Sequence, residues 1–108
     1  MKLINILNEK KLSAFEKFAE NRLNGATKIV NNAKEKGGPS MLTYHHFNVK
    51  LPYYKKASEG NFNIKESKIE FKKYLNELCD QGDKMEQVEF QKLVGIIEVI
   101  GELIIKFK

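Results

Sequence analysis

The residues best suited to chemistry in this sequence cluster between positions 41 and 56. This stretch contains both histidines and three of the four tyrosines, with lysines among them. Imidazole, phenol and ammonium groups exchange protons, bind metals or hold a partner by hydrogen bonds. The predicted partner-binding residues are Tyr44, His45, His46, Lys50, Tyr53, Tyr54, Lys55 and Lys56.

The spacing of these residues argues against metal binding and catalysis. Neighbouring helical positions point about 100° apart, so His45 and His46 do not converge easily on one ion, and the i,i+4 pair of helical zinc sites is absent. Cys79 lies near the carboxyl end of a predicted helix, where the helix dipole disfavours a thiolate. We therefore expect no enzymatic activity, no metal site and no cofactor.

The composition favours a small non-enzymatic binding protein of the inhibitor or adaptor type, acting on a protein partner. Tyrosine rings beside lysines are typical of protein interfaces. A binder of nucleotides or other small ligands, or an enzyme, is an alternative, with His45, His46 and tyrosines in a helical concavity. Both hypotheses place the contact in the stretch 41–56.

A second alternative is nucleic-acid binding through the basic half of the chain. The net charge is +5, and residues 1–60 carry eleven of the nineteen basic residues but five of the fourteen acidic ones. Such an excess attracts polyanions. However, Arg22 is the only arginine, and the readout of phosphates and bases favours arginine over lysine.

Capping patterns divide the chain into helices. A Ser, Asn or Asp followed three residues later by Glu matches a capping box, and glycine after the apolar period ends a helix. The predicted caps are Ser13 with Glu16, Asn63 with Glu66, and Asp83 with Glu86, and the predicted stops are Gly37, Gly60 and Gly82.

Pro52 interrupts the second helical stretch. Its ring clashes with the carbonyl four residues earlier, and it biases Leu51 away from helical angles. The stretch is therefore either kinked near Leu51 or divided, with Pro52 in the first turn of a new helix.

Together these signals predict an all-α protein, a compact four-helix bundle in one domain that covers residues 1–108. The helices are expected at about 14–36, 41–59 (kinked or split near Pro52), 64–81 and 84–107, after a short N-terminal segment. Gly25, Gly95 and Gly101 lie inside helical periods and are interpreted as close helix crossings.

The last helix is apolar around most of its circumference, apart from a narrow polar stripe that includes Gln91, Glu98 and Glu102. Such a helix must be covered on several sides, which favours a central position in the bundle. A face of this helix is also predicted to pair with a second copy or another protein, through Ile96, Val99, Leu103 and Phe107.

Two further patterns concern the cellular compartment. Cys79 is the only cysteine, which favours a reducing compartment and the role of a small core hydrophobe. The apolar run at 93–105 is interrupted by Glu98 and Glu102 and is too short to cross a bilayer, and the run at 1–7 is short for a secretory signal. We expect a cytoplasmic protein without a membrane partner.

Overall fold

A computed structural model describes residues 13–36 and 41–107. The helices are α1 (Ala14–Lys36), α2 (Met41–Asn48), α3 (Leu51–Ser58), α4 (Ile64–Gln81) and α5 (Gln87–Phe107), and a short 3₁₀ turn, Gly82–Lys84, joins α4 to α5. The described residues contain no strand. The predicted all-α four-helix bundle is confirmed, with α2 and α3 as the two parts of its second helix.

Capping hydrogen bonds confirm two of the predicted helix starts. The amide of Glu16 donates to the Ser13 hydroxyl, and the amide of Ser13 donates to Glu16 Oε1, each at 3.0 Å. The amide of Glu66 donates to Asn63 Oδ1, also at 3.0 Å. These bonds satisfy amides that have no partner inside the helix, and they fix where α1 and α4 begin.

The predicted division at Pro52 is also confirmed. Helix α2 ends at Asn48, Lys50 stands before the first residue of α3, and Pro52 occupies the first turn. Proline fits there because an amide of the first turn needs no partner within the helix. The break places Lys50 at the junction of the two helices.

The start predicted for the last helix is wrong by three residues. Asp83 lies in the 3₁₀ turn, Met85 is extended (φ −84°, ψ 152°), and α5 begins at Gln87. The carboxylate at 83 therefore cannot cap α5. Of the predicted glycine stops, Gly60 has the expected positive φ of 80°, Gly82 stays right-handed with φ −55°, and Gly37 lies outside the described residues.

Helix α5 contacts each of the other α-helices that the structure describes, as expected for a central element. It packs mainly between α2 and α4, while α1 lies along α2 and α3. The main core cluster combines small residues of α1 and α3 with larger ones of α5: Ala19, Ala26, Tyr54, Ala57, Val99, Ile100 and Leu103. Alanines let α1 approach closely, so the branched side chains of α5 fill the centre.

This packing corrects part of the predicted seam for a second copy. Val99 and Leu103 are fully buried in the core of the chain itself and are not available to another protein. Ile96 is partly buried against the same core, and Phe107 keeps 43% of its surface exposed. Val99 and Leu103 face α1 and α3. The four residues predicted as a seam for a second copy therefore do not form one exposed surface.

Two of the three glycines predicted at helix crossings lie at contacts. A Cβ at Gly95 would collide with the carbonyl oxygen of His46 and lie 2.7 Å from Val49 Cγ2, so α2 and α5 touch backbone to backbone. A Cβ at Gly101 would lie 3.1 Å from the ring of Phe71 in α4. Gly25 is different, because a Cβ there would meet no atom within 4 Å.

Helix α4 is the least covered of the α-helices described for residues 13–36 and 41–107. It packs on α5 and the 3₁₀ turn, and none of its residues is buried. Cys79, which the sequence placed in the core, is exposed, because no second helix covers its side of α4. The Cα atoms span 54 × 35 × 17 Å, so the bundle is flattened. No described helix is both long enough and apolar enough to cross a membrane.

Candidate binding cleft

The polar stripe of α5 forms the floor of a cleft. Glu98 and Glu102 are one helical turn apart and point to the same side of α5. That side meets the junction of α2 and α3, which the missing side chain of Gly95 allows to approach. Two carboxylates therefore lie beneath the aromatic and basic segment that the sequence singled out.

Glu98 holds the α2–α3 junction. Lys50 Nζ donates to Glu98 Oε1 at 3.0 Å, and His46 Nε2 lies 3.1 Å from the same oxygen. A carboxylate only accepts hydrogen bonds, so the His46 proton in this contact is on Nε2. Lys50 is 8% exposed and also lies over the Phe47 ring, 4.7 Å from its centroid.

Glu102 joins α3 to α1. The Tyr54 hydroxyl donates to Glu102 Oε1, and Arg22 Nε lies 3.1 Å from Oε2. Tyr54 is 4% exposed, whereas the Arg22 side chain is 54% exposed. Each oxygen of this carboxylate therefore has one partner, one buried and one at the surface.

These contacts shift the pKa values of the acid and the phenol in opposite directions. Partial burial alone would raise the pKa of Glu98, but Lys50 and His46 outweigh it and hold that pKa below its usual value. Burial, and then the bond to Glu102, raises the pKa of Tyr54 well above the ordinary 10. At neutral pH the floor of the cleft is a charged carboxylate and the wall is a neutral phenol.

The resulting space, called here the α1–α5 cleft, has a volume of about 390 Å³. Helix α1 forms one wall and α5 the floor, with the α2–α3 junction opposite. The lining residues are Asn21, Arg22, Gly25, Ala26, Ile29, Phe47, Lys50, Tyr54, Glu98 and Glu102. Its charged groups are two cations and two carboxylates, so their charges balance.

The structure brings only part of the predicted contact segment to this cleft. Lys50 and Tyr54 line it, and His46 bonds to its floor. Both Lys50 and Tyr54 are buried, so a docking protein cannot use them as an exposed patch. These two side chains face α5, where Lys50 bonds to Glu98 and Tyr54 to Glu102, instead of solvent.

The other predicted contact residues lie elsewhere. The Tyr44 and His45 rings stack edge to face, with centroids 5.1 Å apart, and both are half-buried. Tyr53 lies beside Tyr74 of α4, and burial, followed by Glu70 and Tyr74, raises its pKa to about 12. Lys55 and Lys56 are exposed.

Sequence reasoning missed the partners of the segment. Arg22, Glu98 and Glu102 complete the cleft, and none of them was a predicted site residue. The signal for the two acids was present, because both interrupt the most apolar helix of the chain on one stripe. For Arg22 the residue type gave no indication of a pairing with Glu102.

A second surface lies on the outer side of the α4 and α5 pair. Phe71 contacts the Gly101 position, and because the two helices run in opposite directions, residues beyond this contact lie toward opposite ends of the pair. Leu75 and then Cys79 follow on α4 toward one end, and Ile105 follows on α5 toward the other. Leu75 is 38% and Ile105 70% exposed, and Cys79 is exposed. We call this surface the α4–α5 face.

The chain was compared with protein-family models, curated proteins and solved structures, and none of them matches it. Among residues 13–36 and 41–107, no three His, Cys, Asp or Glu side chains lie together in a way that would hold a metal ion.

Proposed function

We propose that this chain is a small non-enzymatic binding protein that captures a protein partner on its α4–α5 face. The observation that carries the proposal is α4 itself, an 18-residue amphipathic helix with no buried residue. Amphipathic helices in bundles normally bury one stripe. Here the stripe is covered mainly by α5, with Tyr53 of α3 beside Tyr74, which leaves apolar side chains such as Leu75 for a partner.

The composition of the face fits a helix of another protein. Leu75 and Cys79 supply an apolar strip along α4, and Ile105 supplies apolar surface toward the other end of the antiparallel pair. A third helix fits the groove between two such helices. Exposed lysines, Lys68 and Lys72, border the strip on α4. A partner helix with an apolar stripe and flanking acids complements this surface.

Cys79 provides a direct test, because it is the only cysteine and lies on the proposed face. A maleimide photocrosslinker on Cys79 should yield a discrete adduct with a partner in extract of the native cell. Leu75→Glu should abolish the adduct, because a charge in the strip opposes apolar docking. Mass spectrometry then identifies the partner.

The matched control is Ile69→Glu, which introduces the same charge on the same helix. Ile69 is 71% exposed and lies about 120° around α4 from Leu75. The adduct should survive this change. The proposal is wrong if no discrete adduct forms, or if the two variants behave alike while both remain folded by circular dichroism.

A further variant tests whether the partner instead binds the contact residues predicted from the sequence at positions 44–56. Lys55 and Lys56 are the exposed basic part of that surface. Replacing both with Gln should leave the Cys79 adduct intact. Loss of the adduct in this variant, but not in Leu75→Glu, would move the contact to α3.

A further inference from the structure

We propose that the α1–α5 cleft binds a small zwitterion with an apolar side group, the chemistry of a free amino acid with a large hydrophobic side chain. The cleft presents a cation, Arg22, and a carboxylate, Glu98, each with hydrogen-bonding capacity left over. Apolar side chains line the cleft beside them. This site is separate from the α4–α5 face and does not depend on it.

The space is suited to a small molecule. Its volume of about 390 Å³ lies in the lower part of the range for ligand pockets, which begins near 300 Å³. Gly25 contributes to it, because a Cβ at that position would meet nothing within 4 Å. A glycine inside a helix costs stability relative to alanine, and here no helix contact requires it.

Arg22 supplies the anion-binding end. A guanidinium carries five N–H donors in a planar fork, and one carboxylate occupies at most two of them. Glu102 is the acid that pairs with Arg22 among the described residues, and its closest contact is to Nε. The remaining donors of a side chain that is 54% exposed are free to bind a ligand carboxylate.

Glu98 supplies the cation-binding end. Lys50 and His46 both contact Oε1 of Glu98, and Oε2 has no hydrogen-bond partner among the described residues. The carboxylate stays charged because its pKa is held below the usual value by these same neighbours, despite partial burial. A ligand ammonium at Oε2 therefore meets a full negative charge.

The wall between the two ends is apolar. Ala26 and Ile29 face the cleft from α1, and Phe47 faces it from α2. Ile29 is 37% exposed, so a ligand side group would cover apolar surface that now contacts water. This wall selects for a hydrophobic side group.

The charge balance selects for a zwitterion over a simple ion. Arg22 and Lys50 oppose Glu98 and Glu102, so the cleft has no net charge with which to attract a lone anion or cation. A ligand with one charge of each sign satisfies both free ends and leaves the balance unchanged. A singly charged ligand satisfies one end and leaves the other facing an apolar group.

The test compares three probes that share a phenyl ring. Phenylalanine carries both charges, phenethylamine lacks the carboxylate and 3-phenylpropionate lacks the ammonium. In NMR titrations of the full chain, phenylalanine should shift amides around Gly25 and Glu98 and bind at least about tenfold more tightly than either analogue. Equal binding by an analogue, or no shift at about 20 mM phenylalanine, overturns the proposal.

Two charge variants distinguish binding roles from structural ones. Arg22→Gln should lower phenylalanine affinity to about that of phenethylamine for the unaltered chain and should not weaken phenethylamine binding. Glu98→Gln should do the same relative to 3-phenylpropionate. A variant that merely distorts the cleft would weaken all three probes, and that result contradicts the assigned role.

A steric variant locates the ligand. Gly25→Leu should fill the cleft and abolish phenylalanine binding without unfolding the chain, because the added Cβ has open space. Asn24→Leu is the matched control, since Asn24 is exposed on the same helix and does not line the cleft. Binding retained by Gly25→Leu, or lost equally in both variants, places the ligand elsewhere and refutes the site.

Discussion

Helix α5 has two principal neighbours, and it packs against them in different ways. Toward α2, Gly95 has no side chain, so the backbone of α5 contacts the His46 carbonyl and the Val49 side chain directly. Lys50 also bonds to Glu98 across this interface. Toward α4, Gly101 faces the edge of the Phe71 ring, and thirteen of the eighteen residues of α4 are exposed. The first interface is fixed by backbone contact and ion pairs, and the second by partly exposed side chains.

The two parts of the bundle differ in how much of their surface is buried. The α1, α2, α3 and α5 portion contains the buried core and the α1–α5 cleft, so it maintains the fold and preorganises charged groups. Helix α4 adds little burial and presents an apolar surface. The buried core and the exposed surface of α4 thus lie on different sides of α5, and substitutions on the two sides should have unequal effects.

The largest difference is expected between two leucine truncations. Leu103→Ala removes a fully buried side chain and should lower the free energy of unfolding by about 2–5 kcal/mol. Leu75→Ala, on α4, removes one that is already 38% exposed and should cost less than about 1 kcal/mol. Urea denaturation followed by circular dichroism measures both, and similar costs would show that α4 is as integral as the core.

Glycine replacements test the two interfaces of α5 directly. Gly95→Ala should destabilise by about 1–3 kcal/mol, because the Cβ collides with the backbone carbonyl of His46 and with Val49. Gly101→Ala should cost less, because the Phe71 side chain on loosely covered α4 can shift.

Gly25→Ala is the internal control for these replacements. It introduces the same methyl group into open space and should stabilise the chain by about 0.5–1 kcal/mol through helix propensity. Thermal melts of the three variants should therefore rank Gly25→Ala above Gly101→Ala and Gly95→Ala last. A lower melting temperature for Gly101→Ala than for Gly95→Ala would reverse the comparison.

Local sequence signals predicted the helix boundaries well where one or two residues determine the structure. Ser13 with Glu16 and Asn63 cap as expected, and Pro52 divides the second helix, because each effect acts within one turn. Asp83 matched the same local pattern and failed. The chain there continues from α4 into a 3₁₀ turn, and its extended exit at Met85 comes after the acid.

The cleft and the exposure of α4 depend on how helices are oriented about their axes, which the apolar period specifies only approximately. The stripe of Glu98 and Glu102 was visible, but its partners became clear only when α1 and α3 were placed beside α5. Cys79 was assigned to the core because its stripe is apolar. Its exposure follows from the number of helices that cover α4, a property of the whole fold.

Tyr54→Phe tests whether the hydroxyl at Glu102 contributes to the first interface. The ring packing remains, so the variant should lose about 1 kcal/mol at pH 8 for the missing hydrogen bond. Burial and the bond to Glu102 raise the pKa of Tyr54, so its protonated form stabilises the folded state below the ordinary pKa of 10 and less as pH rises above it. Unfolding at pH 8 and about pH 11 should show a smaller alkaline loss for the variant than for the unaltered chain. An unchanged alkaline loss would mean that other groups cause it.

The smallest expected effect concerns Glu98, whose partners tie α2 to α5. The pKa of Glu98 is lowered in the folded chain, because Lys50 and His46 outweigh the effect of partial burial. The charged carboxylate therefore stabilises the fold above the usual pKa of 4.5, and this contribution is lost as pH falls through the lowered pKa. The side chain is 54% exposed, which screens the interaction, so Glu98→Gln should cost less than about 1 kcal/mol at pH 7. The difference from the unaltered chain should shrink toward zero in acid.

Glu89→Gln is the matched control for this change, because it removes the same charge from the same helix. Among the described residues, Glu89 pairs with Lys92 at the surface, 3.6 Å away. Its effect on the free energy of unfolding should stay within a few tenths of a kcal/mol across the pH range. If Glu98→Gln and Glu89→Gln gave the same pH profile, the bonds from Lys50 and His46 would add nothing to the α2 interface. The stability of the interface between α2 and α5 would then come from the close backbone contact at Gly95 and not from these ion pairs.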